Sequence, residues 1–336
     1  MPTSALRVRL RDALVAFAWD EWAQMGVFAE ARVRSPWVQD PEALIVFTLE
    51  VARNEARLFD ELLDWLLVND ALVSTRRLRA MSVDDDDRAL VAAATAWVAE
   101  ERRRGARPTG RPEGAVPEQP LFHGLRGPIR EPEPVFAHYG FLRGRPSVRR
   151  HSAAPDPLAP INLAFRLRHL LGTSARAEVV RALLTIDAPR VSGGAVTRAA
   201  GYARQNVREA LLALRDAGVI TQLTVGSDQR YAIDRDTWAR FLGLPPEWRP
   251  VERDWPELLG ALRLTLRFLA RDHLDAMSPY LRGSVTRQHL EDVAPALTRA
   301  GVVVDHGATV EDASAGLEAT VDRALALLAA APRTLR

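Results

Sequence analysis

A run of polar side chains between residues 204 and 215 has the residue types that hydrogen-bond to nucleic-acid bases. Arg204 and Arg208 could each engage O6 and N7 of guanine, and Gln205 and Asn206 could engage N6 and N7 of adenine. The apolar residues of this run recur every three or four positions, so a helix would turn most of the polar residues away from its core. A solvated helix surface has the same composition, and the pattern alone allows both interpretations.

Motifs that would indicate catalysis are missing from the sequence. The pair Gly226-Ser227, followed by Asp234 and Asp236, is spaced too closely for the metal-binding pattern of nucleotidyltransferases, and a turn explains it. The seven histidines form no H-E-x-x-H group, and neither a phosphate-binding glycine loop nor a nucleophile elbow occurs. We therefore expect no enzymatic activity and no cofactor.

Four consecutive aspartates, Asp84 to Asp87, could suggest a metal site. The run instead opens a predicted helix that ends in Arg102-Arg103-Arg104, an arrangement that complements the helix dipole. Consecutive side chains also project around a helix axis and do not converge on one ion. We expect no metal here.

The polar run belongs to a stretch with a distinctive order of predicted elements. An amphipathic helix (175–185) precedes a short helix (193–200) that Ser192 can cap and Gly201 can end. A third helix spans about 203–217, with Val207, Ala210, Leu211 and Leu214 toward the core. A β-prone hairpin follows, with strands 219–225 and 230–233 around the turn 226–229.

The run AVTRAAGYARQNVREALLALRDAGVI (195–220) resembles the second and third helices of MarR- and GntR-type bacterial regulators. The resemblance covers about one fifth of the chain and implies a winged helix-turn-helix. In such proteins the third helix enters the major groove with its N-terminal residues leading. Ala203 departs from the family, because it stands where a Ser or Thr usually caps this helix and contacts a phosphate.

The resemblance also implies a set of contacts to double-stranded DNA. Residues at the start of the third helix would lie near base edges or flanking phosphates, and Arg230 would lie on the wing. The complete set of implied contacts is Ser192, Thr197, Tyr202, Arg204, Gln205, Asn206, Arg208, Arg215, Gln229 and Arg230.

A Pro/Gly/Arg-rich segment, residues 105–160, leads into this stretch. Its early part has the composition of a disordered linker, whereas 121–142 contains enough apolar residues to pack on a neighbouring domain. It ends in a basic cluster formed by Arg143, Arg145, Arg149 and Arg150. Such a cluster could be an arm that reaches phosphates or a minor groove, or simply a solvated linker.

Composition excludes several classes of protein. The chain has 336 residues, 47% hydrophobic and 26% charged, which is typical of globular domains. It contains no cysteine, and therefore no disulfide, thiolate metal site or thiol nucleophile. No leader-like start and no apolar run of membrane-spanning length occurs, so we expect a cytoplasmic protein that does not enter a membrane.

Charge is unevenly distributed although the net charge is only +2. Residues 105–151 hold 8 arginines and 4 acidic residues, and residues 152–243 hold 12 and 8. Both terminal segments are acidic, with 14 arginines against 18 acidic residues in 1–104 and 11 against 13 in 244–336. A basic centre between acidic flanks favours a localised contact with nucleic acid.

We predict a mainly α fold with a central winged helix-turn-helix and a small β-hairpin wing between two helical domains. The predicted units are an N-terminal helical domain (1–104), a partly docked linker with a basic end (105–160), the central domain (161–243) and a C-terminal helical domain (244–336).

Three functions are compatible with this organisation. The first is a DNA-binding transcriptional regulator acting as a homodimer, since paired half-sites multiply specificity. The second is an antitoxin or defence-associated protein whose helical domains hold a protein partner. The third is a winged-helix interaction module that does not bind DNA. An effector and an operator sequence are not predictable from the chain.

Overall fold

The computed structural model describes residues 3–103, 118–125, 127–226, 228–245, 248–271 and 273–330. Within these residues the fold is mainly helical, with 14 helices and two small sheets, as the sequence predicts. The elements are given below in chain order.

Five helices form the N-terminal part: α1 (Thr3–Gln24), α2 (Pro41–Val51), α3 (Ala56–Asn69), α4 (Thr75–Met81) and α5 (Asp85–Arg103). Asp40 caps α2, since its carboxylate accepts the Ala43 N–H at 3.1 Å, and Pro41 occupies the first turn where no N–H is needed. The aspartate run opens α5 and arginines close it, as predicted.

Two parts of the predicted linker, around 119–122 and 134–143, pack on the N-terminal helices. The linker contains β1 (Gln119–Pro120), α6 (Pro134–His138) and β2 (Phe141–Leu142), and β1 pairs in parallel with β2. Leu121, Phe136 and Phe141 are buried in the same core as α1 to α5. Residues 104–117, where we predicted disorder, lie outside the described residues.

The central domain alternates helices with a three-stranded antiparallel sheet. Its elements are α7 (Leu163–Leu171), α8 (Ala175–Thr185), β3 (Val191–Ser192), α9 (Gly193–Ala200), α10 (Arg204–Asp216), β4 (Ile220–Val225), β5 (Asp228–Ile233) and α11 (Arg235–Phe241). The strand order is β3-β5-β4, with Val191 opposite Tyr231 and Ile220 opposite Ile233.

Local sequence explains most boundaries in this domain. The Ser192 hydroxyl accepts the Ala195 N–H at 3.2 Å and caps α9, and Gly201 ends α9 at a φ of 64°. The four apolar residues predicted to face the core from α10 are all buried. The two-residue strand β3 is not predicted from sequence, because it is too short to show alternation.

The C-terminal helices are α12 (Trp255–Leu269), α13 (Pro279–Arg299) and α14 (Ala313–Ala329). They share one continuous apolar core with the N-terminal helices, and α12 lies against α2. The indole N–H of Trp255 donates to the Val38 carbonyl at 2.7 Å. The apolar core therefore does not divide between the two predicted terminal domains.

A buried group of charges, here called the junction cluster, fastens the central domain to α2 and α4. Its members are Asp40, Glu42, Arg77, Arg168, Glu178, Arg181 and Glu252, and each of these side chains is at most 6% exposed. Arg168 binds Glu42 at 2.7 Å and Glu178 at 2.6 Å, which joins α7 and α8 to α2. Burial alone would raise the pKa of Glu178, but the three surrounding arginines lower it well below its usual value.

Candidate nucleic-acid interface

Four of the predicted DNA-contact residues are exposed on α10. They are Arg204, Gln205, Arg208 and Arg215, while Val207 and Leu211 anchor the helix in the core of the central domain. Arg204 and Arg208 have no ion-pair partner among the described residues. Two solvated guanidinium groups are therefore presented about one helical turn apart.

The β4–β5 hairpin lies beside this face. Burial raises the pKa of the Tyr231 hydroxyl on β5, while the charges of Arg215 and Arg208 act to lower it. Arg215 donates to Gln222 on β4 at 3.1 Å and pairs with Asp216 at 2.7 Å. The face of α10 and the hairpin consequently form one surface.

Acidic residues reduce the positive charge of this surface. Gln205 donates to Glu209 on the next turn at 2.7 Å, and Arg230 on the hairpin pairs with Asp228 at 3.3 Å. Gln229 accepts the hydroxyl of Tyr231 at 2.9 Å. Neither the Gln205–Glu209 contact nor the Arg230–Asp228 pair was anticipated from sequence, although the four-residue and two-residue spacings permit both.

Tyr202 and Asn206 lie on a different side of α10 from the arginines. Both are half-buried and line a groove between α10 and the N-terminal helices. The hydroxyl groups of Tyr202 and Ser74 are 2.9 Å apart, so Tyr202 fixes the start of α10 against α4. The resemblance implies that Tyr202 lies near base edges. In the structure its hydroxyl is instead bonded to Ser74 of the neighbouring N-terminal helices.

Ser192 and Thr197 have local structural roles in α9. Ser192 is its cap, and the Thr197 hydroxyl donates to the Gly193 carbonyl at 2.8 Å. Both side chains are half-buried.

The predicted basic arm requires a correction at Arg143. Its side chain is only 3% exposed, pairs with Asp60 at 2.5 Å, and lies over the rings of Phe59, Phe122 and Phe136 at 5.2–5.3 Å. Arg143 is therefore a packed residue of the core boundary and not a phosphate contact. Aromatic residues of α3 and of the segment before Arg143 supply the cation–π environment, which residue type alone does not reveal.

The rest of the predicted arm is an extended strap that lies along α3. Arg145, Arg149 and Arg150 are exposed, but Asp60 accepts the Ser147 N–H and Asp64 accepts the Ser152 N–H, both at 2.9 Å. These hydrogen bonds hold the backbone of the strap against α3, so the arginine side chains project from a backbone of defined position.

The groove beside α10 is the main feature that sequence reasoning missed. It has a volume of about 520 Å³, and its walls are residues 73–76, residues 173–176 and one side of α10. Arg76 and Arg176 both line it. They are a hundred positions apart in the chain, and no local pattern relates them.

Other kinds of site are not found in the described part of the chain. No group of three or more histidine or acidic residues has the arrangement of a metal site there. No helix in that part combines the length and the apolar character needed to cross a membrane.

Comparison with known proteins finds no matching family model, no matching curated protein and no matching solved structure.

Proposed function

We propose that the central domain is a winged helix and that the protein is a DNA-binding regulator. In this proposal α10 enters the major groove, and the β4–β5 hairpin is the wing. The element order helix, strand, helix, helix, strand, strand, with its antiparallel sheet, supports this assignment.

One observation carries the proposal. Arg204 and Arg208 stand on the exposed face of α10 without an ion-pair partner among the described residues, with Gln205 between them. Unpaired guanidinium groups on a helix narrow enough for the major groove can bind guanine edges or phosphates. The proposal includes a cytoplasmic location and a dimer that reads two half-sites.

The first test is equilibrium binding of the full chain to labelled duplex DNA, including its own upstream region, over a salt series. We expect log Kd to vary linearly with log salt, with a slope corresponding to about four or more released counterions. R204A/R208A should lower that number by about two and reduce discrimination between sequences.

R34A/R130A is the matched control, since it removes two exposed arginines that lie in loops outside the central domain. It should bind like the unmodified protein. An absence of binding at ~50 mM salt, or equal losses in the two double variants, would contradict the proposal, because phosphate contacts should be strong at low salt.

A protein-docking role is the second candidate, and Glu209 favours it. Its carboxylate accepts a hydrogen bond from Gln205, so α10 exposes an acidic side chain as well as Arg204 and Arg208. Mixed charges suit a protein partner better than a polyanion. If the protein does not bind DNA in the experiment above, we expect α10 to bind a protein partner.

A further inference from the structure

We propose that the groove between α4, α8 and α10 binds a phosphate group, with Arg76 and Arg176 as its cationic ligands. The groove is a joint product of the N-terminal helices and the central domain, since Arg76 belongs to α4 and Arg176 to α8. Arginine offers planar, paired donors that match the oxygen atoms of a phosphate.

The charge balance of the groove favours an anion. Arg76 and Arg176 are exposed, and neither has an ion-pair partner among the described residues. Glu209 is the acidic residue among those that line the groove, and it already accepts a hydrogen bond from Gln205 at 2.7 Å. Two arginines against one carboxylate leave an uncompensated positive charge that a bound phosphate would offset.

Backbone donors add to the arginines. Ser174 stands at the cap position of α8 but makes no side-chain bond to that helix, since its hydroxyl donates to the Leu171 carbonyl at 3.2 Å. The hydroxyl of Thr173 likewise donates away, to the Ala71 carbonyl at 2.9 Å. The first N–H groups of α8 therefore have no side-chain cap, at the wall of the groove where Arg176 lies.

Neutral groups complete the lining. The Asn206 amide borders the groove and has no hydrogen-bond partner among the described residues, so it can donate to a phosphate oxygen. The Tyr202 hydroxyl is shared with Ser74 and forms a fixed wall. A volume of about 520 Å³ accommodates a phosphate together with the sugar to which it is attached.

Two sources of such a phosphate are consistent with this lining: the backbone of duplex DNA and a free nucleotide. The first rests on the proposed function, because a duplex held by Arg204 and Arg208 would run past the neighbouring flank of α10. The second does not depend on DNA binding. DNA and a nucleotide both carry a phosphate ester, and the experiment below measures the binding of each separately.

The central variant is R76A/R176A, with R34A/R130A as the control and circular dichroism as the check of folding. In the DNA arm we expect the salt slope to fall by about two counterions, with an equal loss of affinity for every sequence. This differs from R204A/R208A, which should also change sequence preference.

In the nucleotide arm, calorimetric titration with ADP or inorganic phosphate should give saturable binding that R76A/R176A abolishes, if the source is a free nucleotide.

E209Q tests the same charge balance by removing the negative charge of the groove. The glutamine has nearly the same size as the glutamate, so the wall of the groove is retained. E209Q should tighten whichever ligand binds by several-fold, because it removes the groove's negative charge. An unchanged salt slope in R76A/R176A, together with no binding of ADP or phosphate, would overturn the groove proposal and leave DNA binding by α10 intact. Binding of ADP without any binding of DNA would support the groove and reject the proposed function.

Discussion

Glu21 places a carboxyl group in the interior of the N-terminal helices, where it is 4% exposed. Its Oε2 accepts the side-chain N–H of Gln39 at 2.8 Å. Burial raises its pKa to about 7, because the charged form loses its hydration, and the bond from Gln39 offsets only part of that. Glu21 is therefore largely protonated in mildly acidic solution.

This shift predicts a pH-dependent stability. The pKa of Glu21 is higher in the folded than in the unfolded chain, so its contribution is complete below about pH 4.5 and is lost as pH rises through about 7. E21Q should therefore be more stable than the unmodified protein at pH 8, by up to about 3 kcal/mol, with no difference near pH 4.5. Urea unfolding at the two pH values measures this. E311Q, at an exposed position, is the control, and a gain for E21Q that is equal at both pH values would reject the explanation.

Residue type could not separate functional from structural arginines in this chain. Every one of its 45 basic residues is arginine, so Arg143 and Arg204 look alike in sequence. Arg143 is buried among aromatic rings and Arg204 is solvated, a difference that depends on contacts with segments many positions away. Local patterns could therefore propose Arg204 but could not exclude Arg143.

The turn between α9 and α10 determines where the candidate DNA-contact surface stands relative to α4. Gly201 has a φ of 64°, and a Cβ there would lie 3.0 Å from Nε of Arg77 and 3.2 Å from Cε of Met81. Arg77 cannot easily move, since its Nε donates to the Ala200 carbonyl at 2.8 Å and its other nitrogens bind carboxylates of the junction cluster.

G201A should be more destabilising than a substitution that carries only backbone strain. G218A is the matched comparison, because Gly218 has a φ of 72° and open space around its Cβ position. We expect G218A to lose about 1–2 kcal/mol from the left-handed conformation and G201A to lose measurably more in urea unfolding. Equal losses would mean that the contact with Arg77 does not constrain the turn.

The buried faces and the ends of helices could be predicted from the sequence, because helical spacing and capping residues are local features. The helical spacing of Val207, Ala210, Leu211 and Leu214 predicted the buried face of α10, and Ser192 and Gly201 predicted the ends of α9. The groove beside α10 could not be predicted in the same way. It arises because the first turns of α4 and α8 pack beside α10, and these three segments are distant in the chain.

Helices from both ends of the chain form one apolar core, and the junction cluster fastens the central domain to it. Leu258, Leu262 and Leu266 gave α12 a recognisable apolar stripe, but nothing in that stripe identifies α2, some two hundred residues earlier, as its partner. Helix periodicity shows which face is buried and not what covers it.

This organisation predicts that the chain unfolds in one cooperative transition. Tryptophan fluorescence and far-ultraviolet circular dichroism should give coincident urea curves, since Trp22, Trp65 and Trp255 lie in the shared core and the junction cluster joins it to the central domain. R77A should lower the free energy of unfolding by about 3–5 kcal/mol, because it removes one of the three buried arginines that balance the carboxylates of the junction cluster.

R79A, at an exposed position of the same helix α4, should change stability by less than about 0.5 kcal/mol. Two separate transitions, or equal effects of R77A and R79A, would contradict the coupling of the domains.

Photocrosslinking from the exposed face of α10 tests directly whether this helix contacts DNA. We would replace Gln205 by a benzophenone-bearing amino acid in the full chain, irradiate it with labelled duplex DNA, and use position 34 as the control site. We predict a protein–DNA crosslink from position 205 that maps to base positions in the major groove and is absent from position 34. DNA that binds without crosslinking to position 205, or crosslinks equally from both positions, would show that α10 is not the surface that contacts DNA.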